Sequence, residues 1–238
     1  MSEGEERRRM VRPPTGGDPA GRGGTEKRLK TAFGRTTSQQ KWLERQINDP
    51  YVLKAKAEGW RSRAAFKLAE IDDRFRLIKR GSKVIDLGCA PGGWVQVALK
   101  RGAEKVVGVD LLPVDPIPGA DLVEGDFTEP GMGERLLDML GGAPDLVLSD
   151  MAHNTVGHKA TDHLRIVALI EIAADFAIDT LKPGGAFVTK NFQGGSAGDV
   201  LGRLKAAFTE VKFVKPKASR QDSSEVYLVA TGFKGAPR

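Results

Sequence analysis

The sequence predicts an α/β domain: a mostly parallel seven-stranded sheet with an antiparallel last strand and helices on both faces. Three observations carry this. From Lys83 onward short apolar runs alternate with amphipathic stretches, the pattern of a parallel sheet covered on both sides. A length of 238 residues with 40% hydrophobic content suits one such domain with a small appendage. The last two strand candidates are joined only by Lys217 to Ser224, too short for a parallel crossover, so the final strand should reverse.

Taken in order, residues 1–36 are rich in Gly, Pro and Arg and carry almost no apolar periodicity. Such a segment buries too little surface to offset its ordering entropy, so a disordered basic tail is expected there. The domain proper, 37–238, opens with a helical extension over 37–80. Ser38 is expected to cap a first helix that runs through Trp42 and Leu43. YVLKAKAEGW reads as a short helix closed by Gly59. In RSRAAFKLAEIDDRFRLI, Ala65, Leu68, Ile71 and Phe75 fall at helical spacing. Strands are expected at 83–88, 105–110, 121–126, 145–150, 185–192, 211–216 and 225–233, with helices at 93–101, 131–140, about 161–181 and 197–209.

Charge is unevenly distributed. Residues 1–80 hold 20 basic and 11 acidic side chains, residues 81–199 hold 9 and 17, and residues 200–238 hold 8 and 3. Basic flanks around an acidic centre suit a polyanionic partner at the ends and a different ligand in the middle. The single cysteine, Cys89, excludes an intramolecular disulfide and a multi-cysteine zinc site; it reads as a small packing residue. The only histidines, His153, His158 and His163, lack the spacing and companion ligands of a zinc centre, so no metal is expected. No apolar run is long enough to span a membrane, and the N-terminal residues lack a secretory apolar core. A cytoplasmic monomer is expected.

The first strand feeds into DLGCAPGGWVQ, residues 86–96. Its glycines, Gly88, Gly92 and Gly93, permit a tight turn and a close approach to a ligand. The spacing fits neither G-x-G-x-x-G nor a phosphate loop ending in G-K-[ST], which weighs against a nicotinamide oxidoreductase. Asp86 just before the turn would repel a pyrophosphate but suits an ammonium or sulfonium. Asp110 ends the second strand, where an acid can hold both ribose hydroxyls, and Asp126 follows the third, where it can accept from an adenine amino group. Each aspartate alone reads as a cap or turn residue. With Asp150, four in register along one sheet edge point to S-adenosylmethionine.

Five further segments complete a pattern: DLLPVDPI, SDMAHN, KNFQG, SSEVYLVA and, upstream, SRAAFKL. Together with DLGCAPGGW they resemble the RrmJ/FtsJ family of ribosomal RNA 2′-O-methyltransferases, over residues 38–233. The resemblance implies a Rossmann-like S-adenosylmethionine-dependent methyltransferase fold over 37–238. It implies a Lys-Asp-Lys-Glu tetrad, falling here on Lys67, Asp150, Lys190 and Glu225, and cofactor contacts at Gly92, Trp94, Asp110, Asp126 and Asp150. It also implies a uridine of 23S rRNA, in a fully assembled or late-assembly 50S subunit, as the target. The sequence departs from the family at His153, where SDMAPN is usual.

The residues read the same way unaided. Lys190 interrupts an apolar strand, where a solvated role fits poorly, and a ribose 2′-hydroxyl needs a base or strong polarisation to attack. A lysine serves as base only when a neighbouring cation or desolvation lowers its pKa, and nearby acids oppose that. Lys190 is therefore assigned as base and Lys67 as the group that steers the hydroxyl. Arg61, Arg63, Lys67, Arg74, Arg76, Lys79 and Arg80 crowd the segment before the first strand, and Lys212, Lys215, Lys217 and Arg220 cluster near the end. Both groups are expected to hold phosphates flanking the target ribose. Two rival readings share these features, namely the same chemistry on transfer RNA and a non-catalytic RNA-binding assembly factor.

Overall fold

The computed structural model describes residues 34, 36–152, 159–192 and 198–235. The basic tail, apart from Gly34 and Thr36, and the His153 and His158 positions lie outside them. The chain divides into two compact units, 1–48 and 49–238. In the first, helix α1 spans Thr37–Asn48. Its cap is Thr36 rather than Ser38: the Thr36 hydroxyl accepts from the Gln39 amide at 3.3 Å, and the Gln39 side chain accepts from the Thr36 amide at 3.0 Å. This reciprocal capping box needs Ser/Thr and Gln three apart, a spacing Thr36 meets.

The second unit holds the remaining elements. Helix α2 (Pro50–Glu58) is capped by Asp49, whose carboxylate accepts from the Tyr51 amide, and closes at Gly59 in the left-handed region. Helix α3 (Ala64–Phe75) buries Ala65, Leu68 and Ile71 as its spacing required. The sheet comprises β1 (Lys83–Leu87), β2 (Lys105–Asp110), β3 (Ala120–Glu124), β4 (Leu146–Ser149), β5 (Ala186–Phe192), β6 (Phe208–Val214) and β7 (Glu225–Phe233), in the order β3-β2-β1-β4-β5-β7-β6. Helices α4 (Gly93–Lys100), α5 (Met132–Leu140), α6 (Lys159–Thr180) and α7 (Gly198–Ala207) fill the connections.

Strands β1 to β5 pair in parallel, and β7 runs antiparallel to both neighbours, as the short 217–224 connection demanded. Two apolar layers sandwich the sheet. Ile85, Leu87, Val107 and Val147 face α5 and α6, while Val84, Val106, Leu146 and Leu148 face α3 and α4. Alternate residues of one strand thus enter opposite cores. Strand β6 begins at Phe208, three residues before the sequence expectation. Phe208 pairs with Phe233 and stacks on it at 5.3 Å between ring centroids, so cross-strand aromatic packing ends α7 at Ala207.

Candidate active site

The carboxyl edge of the sheet collects the chemistry. Strand β4 delivers Asp150, β5 delivers Lys190, and the reversed β7 starts there with Glu225 opposite Phe192. Lys67 arrives from α3. The four form two ion pairs, Lys67 with Glu225 at 2.7 Å and Lys190 with Asp150 at 2.8 Å, all with side chains less than one-fifth exposed. Lys190 Nζ also donates to the Asp150 carbonyl at 2.7 Å. Two ammonium groups and two carboxylates cancel, so the cluster carries no net charge into a poorly solvated place.

A fifth residue joins the pairs. The phenol of Tyr227 donates to Asp150 Oδ1 at 3.0 Å and accepts from Lys67 Nζ at 3.2 Å. Burial above all, then Asp150 and Glu225, hold that phenol well above its ordinary pKa, so it remains a neutral donor. Its ring is fully buried and packs on Trp94 at 5.6 Å between centroids. Sequence reasoning passed over Tyr227. The available signal was parity: it lies two residues after Glu225 in a strand and so shares its face.

Beside this cluster opens a cavity of about 640 Å³, within the size range of small-molecule sites. Its lining includes Gly88, Asp110, Asp126, Phe127, Asp150 and Ile172. Asp110 is fixed by accepting from the amides of Ala90 and Leu112 at 2.8 and 2.9 Å. Asp126 accepts from the Thr128 hydroxyl and amide, which lowers its pKa below the usual carboxylate value. Asp150 is the residue that belongs to both places, lining the cavity and gripping Lys190.

Other expected contacts sit differently. Asp86 is fully buried, lies outside the cavity lining, and its carboxyl oxygens have no hydrogen-bond partner among the described residues. Burial, then Asp150 and Asp110, push its pKa well above normal, so the carboxyl favours its neutral form. The charge argument made from its sequence position therefore does not carry over. Trp94 is likewise buried, its indole N–H donating to the Ala64 carbonyl at 2.9 Å. Gly88 (φ +80°) and Gly92 (φ +105°) have left-handed backbones, and an added Cβ would meet the Met151 backbone at 2.8 Å and the Ile117 side chain at 2.6 Å. Both positions thus need glycine for close packing of protein on protein, and Gly88 also lines the cavity. Cys89 is buried, and its thiol pKa is raised by burial, then by Asp86 and Asp110, which suits a packing residue.

The basic residues divide by place. Arg61 donates to the carbonyls of Pro91, Asp115 and Pro116, bracing the glycine turn. Arg63 pairs with Asp49 and donates to the Ala218 carbonyl, and Arg220 meets the same Asp49 at 3.3 Å. Lys215 donates to the carbonyls of Gln221 and Ser223. Lys217 is exposed, and its ammonium has no partner among the described residues. Arg76, Lys79 and Arg80 do not flank the tetrad at all: α3 carries the chain away, and they surround the opposite, amino edge of the sheet. Among the described residues no cluster of three or more His, Cys, Asp or Glu could hold a metal, and no helix is long and apolar enough to cross a membrane.

The family model for FtsJ-like methyltransferases matches residues 60–233, spanning the tetrad, the glycine turn and the whole sheet. The chain belongs to the FtsJ-like methyltransferase family. A Caulobacter vibrioides protein named ribosomal RNA large subunit methyltransferase E is 67% identical to this FtsJ-like methyltransferase over 226 residues, covering 95% of the chain and 100% of the relative. One of the same name from Gluconobacter oxydans is 65% identical, covering 87% and 77%. A solved Plasmodium falciparum structure described as a ribosomal RNA methyltransferase superposes with a TM-score of 0.66 at 31% identity, covering 74% of this chain and 100% of that one.

Proposed function

We propose that this methyltransferase uses S-adenosylmethionine to methylate the ribose 2′-hydroxyl of a uridine in 23S rRNA, on the fully assembled or late-assembly 50S subunit. The observation that carries the reading is the double duty of Asp150, which ties the lysine cluster to the cavity. The cavity residues fit that methyl donor: Asp110 suits the ribose hydroxyls, Asp126 the adenine amino group, and Phe127 and Ile172 the apolar face of a base. Gly92 and Trp94 are buried outside the cavity lining, so the turn they form backs the site and the lining residues carry the fit to the donor. The names borne by the curated relatives support rRNA as the substrate.

S-adenosylmethionine, when bound, supplies an electrophilic methyl group. Lys190 would accept the proton of the ribose hydroxyl as that oxygen takes the methyl group from the donor. The Asp150 carbonyl and carboxylate fix the position of Lys190 Nζ, at 2.7 and 2.8 Å. Lys67, held by Glu225 and Tyr227, donates to the ribose oxygen and orients it. Alignment of this kind is worth on the order of 7–11 kcal/mol at best. The tetrad, the cavity and the basic residues Arg61, Arg63, Lys215, Lys217 and Arg220 all lie in the unit 49–238, where the five lend positive charge toward RNA, Arg63 and Arg220 sharing Asp49.

Two measurements test the reading. Mapping 2′-O-methylation across total RNA from cells with and without the gene should reveal one missing methyl on a 23S rRNA uridine; loss on a transfer RNA instead would overturn the substrate. Purified Lys190→Ala should bind S-adenosylmethionine normally and lose at least ~10²-fold in turnover. Turnover at the parental rate would remove Lys190 from the chemistry.

A further inference from the structure

The edge of the sheet opposite the active site holds a second large cavity, of about 470 Å³. It is bounded by the end of α3 and the turn into β1 (Phe75 to Ser82), by Asp145 before β4, by Pro183 to Ala186 before β5, and by Thr231 and Gly232 of β7. Nothing in the mechanism above uses it. Its rim carries Arg76, Lys79 and Arg80, all exposed and none with an acidic partner among the described residues. The one acid in its wall, Asp145, is already occupied: it accepts from the Lys83 amide at 2.8 Å and pairs with Lys182 at 3.2 Å. The cavity mouth is therefore electropositive without local compensation.

The ordinary explanation for cations at a helix C-terminus is the helix dipole. It covers Arg74, which lies in the last turn and stacks on Phe75. It does not cover Lys79 and Arg80, which stand beyond the helix. Nor does it explain Arg76, which occupies the left-handed cap position (φ 53°) where glycine is favoured. A side chain there costs about 1 kcal/mol. The chain keeps a guanidinium at that cost, at the mouth of a cavity with an apolar wall of Phe75, Leu77 and Ala186.

We propose that this cavity is a second RNA subsite, remote from the reacting centre, which seats a phosphodiester stretch of the substrate on Arg76, Lys79 and Arg80. The inference rests on the RNA reading above. Arg76 lies nine residues along from Lys67, about 14 Å of helix, so one ribose cannot touch both places. The subsite engages a different part of a large RNA and contributes affinity, not chemistry.

The test compares the full-length enzyme with an Arg76→Gln/Lys79→Gln/Arg80→Gln variant on 50S subunits from cells that lack the gene. Turnover at saturating RNA should stay within twofold, while KM rises about 10- to 30-fold and the slope of log affinity against log salt falls by about 2–3. A control variant, Arg135→Gln/Lys205→Gln/Lys234→Gln, removes the same charge elsewhere and should move both far less. Lys79→Gln alone should give about one-third of the slope change and guards against misfolding of the triple variant. Unchanged KM and slope in the cavity variants, or an equal loss in the control, overturns the proposal. So does cavity-dependent binding of free uridine monophosphate with 50S affinity unaltered, which would mark a small-nucleotide site. Failure of the RNA reading itself shows earlier and separately, as a wild-type enzyme that methylates no RNA.

Discussion

The phenol oxygen of Tyr227 stands between Lys67 and Asp150, 3.2 Å from one and 3.0 Å from the other, and so connects two ion pairs that otherwise share no atom. Asp150 Oδ1 receives both this phenol and Lys190. The orientation of each lysine therefore depends on a neutral group that does not react.

Tyr227→Phe removes the link and keeps the ring on Trp94. Turnover should fall about 3- to 10-fold, with S-adenosylmethionine affinity unchanged, because alignment is lost and not binding. Losing one buried hydrogen-bonded hydroxyl should also cost about 1 kcal/mol, or roughly 2–4 °C in Tm. Single-turnover kinetics beside calorimetry separates the two effects. Unaltered turnover would show that the lysines hold their places without the phenol.

Glu225→Gln tests the other pair. Lys67 then sits in a confined place facing an amide in place of a carboxylate, and its ammonium swings toward water. The expected outcome is a loss of about tenfold in kcat/KM for RNA with donor affinity within twofold. Equal losses in both quantities would move Glu225 from positioning the lysine to supporting the cavity.

How much of this was readable beforehand follows from where the information lies. The reversal of β7 was legible because the 217–224 connection is short, and it put Glu225 on the carboxyl edge of the sheet; that this strand lies next to β5, with Tyr227 opposite Lys190, was not. The glycine turn was legible as a turn, but its purpose was not: what Gly88 and Gly92 make room for, Met151 and Ile117, lies 63 and 25 residues further on. The Asp49 carboxylate that gathers Arg63 and Arg220 was invisible for the same reason, since its partners are 14 and 171 residues distant. Arg63 and Arg220 look like free phosphate ligands until that acid is found between them.

That clamp makes its own prediction. Asp49 caps α2 through one oxygen and holds the two arginines through the other. Asp49→Ala strips the cap and leaves two partly buried guanidinium groups unpaired, at a combined cost of about 3 kcal/mol or more. Urea unfolding should show the midpoint shift with little change in slope. A shift below about 1 kcal/mol would mean that the arginines find water or other acceptors at once.

Asp86 supplies a pH test with a definite sign. Its pKa is raised on folding, so the folded state holds a proton that the unfolded chain releases above about pH 4. The stability it contributes is full below that unfolded value and is lost as pH rises toward the folded one. Asp86→Asn cannot ionise and should not share that decline. The variant should therefore gain on the wild type by up to about 1.4 kcal/mol per pH unit until the folded pKa is passed. Unfolding both proteins in urea at pH 5, 6, 7 and 8 gives the difference directly, and other titrating groups largely cancel in the comparison. A constant gap across the series would mean that Asp86 is ionised throughout, with a buried positive partner still to be found.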